Sequence, residues 1–319
     1  MSTPQAQLVA EGSAGRLIGA SGARSSRHIF GRLIARPSVA LCFGFLAIVI
    51  LMAIFAPLIV KISGYDPYVF DQDAIDAATG GLPKGPLGGI SSEHWFGVEP
   101  QNGRDIFARI VYGARASMAI ALSATLLTMV FGTVLGLMSG FFGGRVDQIV
   151  SRLMDFLMAF PALIFMIALL SALPNSNRPL MLVAVLSIFG WPYIARVVRS
   201  QTMSVSKREF VEAAVASGAS RHRVIFTEML PNLTGTIIVM ATLAVPTYIG
   251  TEAGLSFLGI GLTPPTPSWG QMIAKAVGWY TVDPMFLMIP GLFLFLTVLS
   301  FTVIGDQLQR VLDPRGRKP

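Results

Sequence analysis

Six apolar runs, each long enough to cross a lipid bilayer, leave this chain almost no choice of architecture. A helix spanning a hydrocarbon core of ~30 Å needs about 20 predominantly apolar residues. In lipid, every backbone polar group must be satisfied within the segment, so helices are the default spanning structure. The runs are Ser38 to Val60, Ser117 to Phe142, Leu153 to Leu173, Leu180 to Val198, Leu233 to Leu258 and Met285 to Gly305. The fourth is the most interrupted, by Gly190, Trp191 and Pro192, with Arg196 near its end. The expected class is an all-α membrane protein with six transmembrane helices. Composition agrees: of 319 residues 53% are hydrophobic and only 13% charged, against about 25% charged in soluble domains.

An even number of spans puts both termini on one side, and Lys and Arg choose the cytoplasmic side. On the side of the termini lie Arg16, Arg24, Arg27, Arg32 and Arg36 in the N-terminal tail. Arg145 and Arg152 follow the second run. Arg196, Arg199, Lys207, Arg208, Arg221 and Arg223 lie between the fourth and fifth, and Arg310, Arg315, Arg317 and Lys318 at the C-terminus. The opposite side has Lys61, Lys84, Arg104, Arg109, Arg178 and Lys275. The bias places both termini in the cytoplasm. The net charge of +7 is thereby a topology signal, and no nucleic-acid partner is expected. No cleavable signal peptide is expected, because the first run has no small-residue cleavage pattern after it. The first ~28 residues, rich in Ser, Gly and Ala, have a disordered composition. Residues 1–37 are thus a tail, 38–60 the first span, 61–113 an external loop and 309–319 a second tail. The loop carries seven acidic residues, among them Asp71, Glu99 and Asp105, and reads either as a docking surface or cap, or as a solvated face.

One stretch is foreign to this pattern. Glu209 to Asn232, EFVEAAVASGASRHRVIFTEMLPN, is too charged for the bilayer and too rich in helix formers for an ordinary loop. Lys207 to Ser217 favours a helix, with Ser206 and Glu209 placed as a capping box and Gly218 as its end. Ser220 can cap a second helix, and Pro231 is expected to end it and start the fifth span. Ala213, Ala214, Ala216, Ser217, Gly218 and Ala219 are small and let another backbone come close. The segment reads either as a short helix that seats in a groove of another protein or as a compact linker on the membrane surface.

Other signals are sparse. Cys42 is the only cysteine, so no internal disulfide can form, and His28, His94 and His222 lie at no metal-binding spacing. There is no GxxxxGK[ST] phosphate loop and no catalytic cluster. Pro161, Pro192, Pro246 and Pro290 fall inside expected spans, where proline kinks a helix. Glu252 is an ionisable group inside a span, which is costly and turns toward a bundle interior or water. It can contact the amino group of a passing solute, pair with a partner's Arg, or sit near the outer water. Asp155 is three residues from Arg152 and can pair with it. Trp191, Trp279 and Tyr280 are expected as interfacial anchors. Trp269, after a run of prolines, is either another anchor or part of an external gate.

Glu212-Ala213-Ala214, then Gly218, then Leu230-Pro231, resembles the EAA loop of importer permeases of the ATP-binding cassette superfamily. The family's usual Ile ten residues after the Gly is Glu228 here. Further matches follow in order. They are Gly103-Arg104-Asp105 with Tyr112-Gly113-Ala114-Arg115; Gly140-Phe141-Phe142-Gly143-Gly144; Ala159-Phe160-Pro161; Gly190-Trp191-Pro192; Glu252-Ala253 with Leu255 to Gly259; Pro264 to Gly270; and Leu312-Asp313-Pro314-Arg315. On these the chain resembles the C-type permease of dipeptide and oligopeptide importers, a binding-protein-dependent transport inner membrane component, over about residues 30 to 315. The resemblance implies a type I importer permease fold, with a core at 114–308 and a cytoplasmic coupling loop at 200–232. It implies that Glu212, Ala213, Ala214, Gly218, Ala219, Arg221, Leu230 and Pro231 couple to an ATPase. Glu252, Pro246 and Trp269 become candidates for the translocation pathway. It also implies a non-enzymatic subunit of a bacterial cytoplasmic membrane, binding no cofactor or metal itself. The partners would be a homologous second permease, two ATPases holding ATP and Mg, an external substrate-binding protein and lipid. A nickel chelate is the alternative solute, and a stand-alone secondary transporter the alternative class.

Overall fold

The computed structural model describes residues 36–173 and 177–312. The expectations for the N-terminal tail up to residue 35 and for residues 313–319 lie outside them. The described chain is a helical bundle. Helix α1 (Pro37–Ile54) is followed after one residue by the short α2 (Ala56–Ser63). Then come a cap with a two-stranded antiparallel hairpin, β1 (Ile75–Asp76) and β2 (Leu82–Pro83), the long α3 (Ile106–Phe142), α4 (Gly144–Ala159) and α5 (Ala162–Ala172). Helix α6 (Arg178–Val205), the short α7 (Glu209–Ala216), α8 (Arg221–Phe257), α9 (Trp269–Ala276) and α10 (Pro284–Leu312) complete it. Five of these helices, α1, α3, α6, α8 and α10, are long and apolar enough to cross a membrane. A sixth span counts only if α4 and α5, bent by 86°, are taken as one.

Helix α3 is the central strut. Along α6 it presents Gly132, Gly136 and Gly140, one residue per turn. A Cβ on Gly136 would lie 2.7 Å from the Ala195 carbonyl oxygen and 2.8 Å from Val198 Cβ. A Cβ on Gly132 would meet Ile194 at 2.6 Å, and one on Gly140 would meet the Arg199 carbonyl at 2.7 Å. Lipid tails are as apolar as leucine, so helices in membranes associate by close packing, and small residues permit it. The opposite side of the bundle packs α8, α10 and α1 around α3, with Ile110, Ala114, Ala121, Ile249, Trp269 and Phe286 among the fully or nearly fully buried side chains.

Several local expectations change. The second span starts at Ile106, since Asp105 caps α3 by accepting from Ala108 N at 2.7 Å. The third expected span is not straight. Pro161 lacks the N–H that would continue α4, and the chain turns there into α5. Pro192, Pro246 and Pro290 instead lie within continuous helices. Pro231 does not end a helix either. Val224–Met229 form a π-turn, with Leu230 N donating to Ile225 O, and α8 runs through it unbroken. Pro231 has no N–H to donate and follows directly after the wider turn.

The glycine stripe generates a stability prediction. Gly136→Val places methyl groups on the Ala195 backbone and destabilises the detergent-solubilised chain by roughly 1–3 kcal/mol. Gly235→Ala, where a Cβ meets nothing within 4 Å, leaves thermal inactivation unchanged or slightly delayed. Equal inactivation curves for the two variants contradict the packing role of the stripe.

Candidate functional site

Three regions concentrate the unusual chemistry: the short helix α7, a cavity between α5, α6 and α8, and a charged cap at the far end of the bundle.

Helix α7 begins two residues later than the capping box would have it. Arg208 is its N-cap without a side-chain bond, while Ser206 closes α6 and donates to Met203 O at 3.1 Å. Its end follows expectation. Gly218 has φ +79°, the left-handed region that favours glycine. Gly218 N donates to Val215 O and Ala219 N to Ala214 O, the two bonds of a Schellman motif. Ser220 then caps α8 through Arg223 N. Val211 is buried among Val205, Val224, Ile225 and Met229. Ala214, Ala219 and Leu230 are half-buried against that cluster, while Glu212, Ala213, Gly218, Arg221 and Pro231 are exposed. One face of the segment is therefore anchored on α8, and the other is open, small and charged at its edges. Arg221 lies 5.8 Å from the Phe142 ring at the end of α3.

The cavity has a volume of about 840 Å³. Its walls include Ala162 and Met166 of α5, Phe189 and Tyr193 of α6, and Pro246 and Thr251 of α8. Of the three pathway candidates only Pro246 lines it. Glu252 points the other way. It is wholly buried and accepts hydrogen bonds from Ser117 Oγ at 2.8 Å and Ser256 Oγ at 2.7 Å. Intrachain serines thus satisfy the carboxyl and tie α8 to α3. Trp269 is also buried. Its Nε1 donates to Ile110 O at 3.2 Å, and its ring packs on Gly113. Gly270 presses on the Ala253 backbone, so the Trp-Gly pair is a packing element between α3 and α8. Trp191, expected at an interface, is buried too, whereas Tyr280 is exposed.

The cap is fastened by charge. Glu99, 1% exposed, pairs with Arg104 at 2.7 Å and Arg109 at 2.5 Å, with Lys275 at 3.9 Å. Arg109 also donates to Pro67 O and to Gln271 Oε1, joining cap, α3 and α9. Gly103 has φ +66°, and a Cβ there would overlap the Asp71 carbonyl. The Gly-Arg-Asp run is thus one turn that lets the backbone pass, pairs Glu99 and caps α3. His94 Nδ1 sits 2.9 Å from Asp105 Oδ2. Burial raises the Glu99 pKa, but Arg109, Arg104 and Lys275 outweigh it and the net shift is downward. Burial raises that of Asp105 against its hydrogen bonds from Ala108 and His94.

Toward the α7 end, Asp147 accepts from Arg199 Nη2 at 2.7 Å and is shared with Ser139 and Ser151. Asp155 pairs with Arg196 at 2.6 Å, a correction to the expected Arg152: the tertiary packing of α4 on α6 brings Arg196 closer than the helical neighbour. Neither the glycine stripe nor the Asp147 brace was read from the sequence. The spacing of Gly132, Gly136 and Gly140 is the signal that could have revealed the stripe. Among the described residues no group of three His, Cys, Asp or Glu side chains could hold a metal ion.

Residues 132–318 match the family described as binding-protein-dependent transport system inner membrane component. The chain belongs to this family. The permease is 40% identical over 267 residues to the dipeptide transport system permease protein DppC of Alkalihalophilus pseudofirmus, covering 83% of this chain and 82% of that one. It is 38% identical to the oligopeptide transport system permease protein OppC of Bacillus subtilis, covering 86% and 84%. To the glutathione transport system permease protein GsiD of Pectobacterium atrosepticum it is 36% identical, covering 90% of each. In fold it is similar to an inward-facing conformation of the MetNI methionine ABC transporter, with a TM-score of 0.54 at 19% identity, covering 65% of this chain and 98% of that one. The permease is a multi-pass membrane subunit with the type I importer fold.

The cap yields a pH prediction. The folded Glu99 pKa lies below its ordinary value of 4.5, so its contribution is complete above that value and is lost as pH falls through the folded one. In hydrogen exchange of residues 65–105, the protection that wild type has beyond Glu99→Gln should be constant from neutral pH down to 4.5 and fall below it. Glu99→Gln should be less protected at neutral pH and lack its share of the acid loss. The difference between the two removes the opposing contribution of Asp105. Identical profiles contradict the fastening role.

Proposed function

We propose that this permease forms half of the pathway of an ATP-driven importer of dipeptides or oligopeptides. The observation that carries the reading is continuity. The docking segment α7 connects directly to α6 and α8, the two helices that supply most of the cavity wall. A displacement of α7 by a partner is therefore delivered to the pathway without an intervening flexible domain. The Lys and Arg bias supports an α7 end in the cytoplasm, with both termini, and a cap outside. ATP and Mg are held by two partner ATPases, since this chain has no phosphate loop and no catalytic cluster. A homologous permease supplies the other half of the pathway, and an external binding protein delivers the solute. Peptide as substrate rests on the relatives, which are named for dipeptide, oligopeptide and glutathione transport.

In this reading Glu212, Ala213, Gly218 and Arg221 form the face presented to the ATPase, while Ala214, Ala219 and Leu230 seat the segment on the bundle. Pro231 lies beside the π-turn through which α8 receives the motion. Pro246 shapes the cavity wall, and Glu252 and Trp269 hold the outer part of α8 in place behind it.

Gly218→Trp tests the docking assignment. The left-handed backbone there strains any β-carbon, and the indole blocks close approach. Peptide uptake by the reconstituted complex should fall by about tenfold or more, the equivalent of ~1.4 kcal/mol of lost docking. Membrane insertion and assembly with the second permease should be retained. Uptake at the wild-type rate contradicts the assignment.

A further inference from the structure

We propose that Asp155 and Arg196 form a charged step at the cytoplasmic mouth of the cavity, contacting the charged groups of the peptide as it leaves. The inference rests on the peptide-importer reading and deepens it.

The first observation is position. The cavity-lining residues of α6 include Leu186, Phe189, Gly190 and Tyr193, which fall on one stripe of the helix at spacings of three and four. The next residue on that stripe toward α7 is Arg196, and then Ser200, both exposed. Asp155 faces Arg196 from α4 and lies seven residues before Ala162, which lines the cavity across the Pro161 bend. The pair thus stands where the cavity continues toward the docking end.

The second observation is exposure combined with charge. The ion pair is 2.6 Å long, yet the Arg196 side chain is 47% exposed and that of Asp155 66%. Such a pair facing lipid is costly, and ionisable groups in spans turn to protein or to water-filled cavities. The neighbouring pair, Asp147 with Arg199, is the more buried one and has two serine hydroxyls to complete it. That pair braces α4 on α6. Asp155 and Arg196 have no further side-chain hydrogen bonds of this kind, and an exposed ion pair contributes little to stability.

The third observation is chemical contrast. The cavity wall offers hydroxyls at Tyr193, Thr247, Tyr248 and Thr251 but no charge. A peptide carries an ammonium, a carboxylate and charged side chains. Asp155 can accept from the first and Arg196 can donate to the second, and each is left a partner as the two separate. The step offers both signs at low cost, so it recognises the charges of a peptide without holding any one sequence tightly.

The test uses the complete importer in proteoliposomes with saturating, peptide-loaded binding protein, so that the maximal rate reports on the permease. Labelled tripeptides with a central Lys, Ala or Asp are compared. Arg196→Gln is expected to slow the Asp peptide about fivefold more than the Lys peptide, the size of one exposed ionic contact. Asp155→Asn should show the opposite order. If both variants slow all three peptides by one common factor, or slow none, the pair is only a brace and the proposal fails. If the wild-type complex carries no peptide, the peptide reading itself fails. A second measurement covers variants that do not assemble. In a Cys42→Ser background, Tyr193→Cys and Ser200→Cys leave both charges intact and mark the stripe above and below them. Both should react with a water-soluble thiol reagent, and reaction should slow at least about threefold when peptide is present. Cysteines that never react place this face against lipid or a partner and overturn the proposal.

Discussion

The close approach of α3 and α6 over Gly132, Gly136 and Gly140 is the contact on which the rest of the structure depends. It lets the α6 backbone and the side chains of Ile194, Val198 and Thr202 pack directly on the backbone of α3, the close approach by which helices associate in lipid. Each helix then carries one functional end. The start of α3 holds the charged cap through Asp105 and Arg109, and the end of α6 leads into α7. The cavity opens beside this contact, with Ile194 of α6 common to both.

This arrangement separates rigidity from motion. The cap end is knitted by the Glu99 cluster, by Glu252 with its serines and by Arg178, whose guanidinium donates to Leu170 O and Ile260 O. These contacts bind α3, α6, α8 and α9 to one another. At the other end the connections are lighter. The Pro161 bend and the π-turn at Val224–Met229 are places where helical bonding is interrupted, and π-turns recur at functional sites. On the proposed coupling role, a displacement of α7 meets these two interrupted joints first and the knitted cap end behind them.

The sequence made visible what local chemistry decides. The apolar runs located the spanning helices, Gly218 announced its own left-handed turn, and the order of short motifs led to the family. Contacts made across the bundle were not visible. Asp155 has Arg152 three residues away, yet α4 lies on α6 and Arg196 is nearer. Trp269 follows prolines and looks like a surface residue, but α3 offers it Gly113 and the Ile110 carbonyl. Pro231 signals a helix break, yet α8 continues through it after the wider turn. Glu252 was legible as an intramembrane carboxyl, while the choice between cavity and interior was set by Ser117, 135 residues away in the chain.

Mild-detergent purification of this chain from its native membrane, followed by mass spectrometry of what accompanies it, tests the central claim most directly. Recovery of a homologous permease and P-loop ATPases is the result expected of a subunit whose exposed α7 exists to be docked. Recovery of this chain alone, before and after cross-linking, would contradict the account and return the protein to the class of transporters that work by themselves.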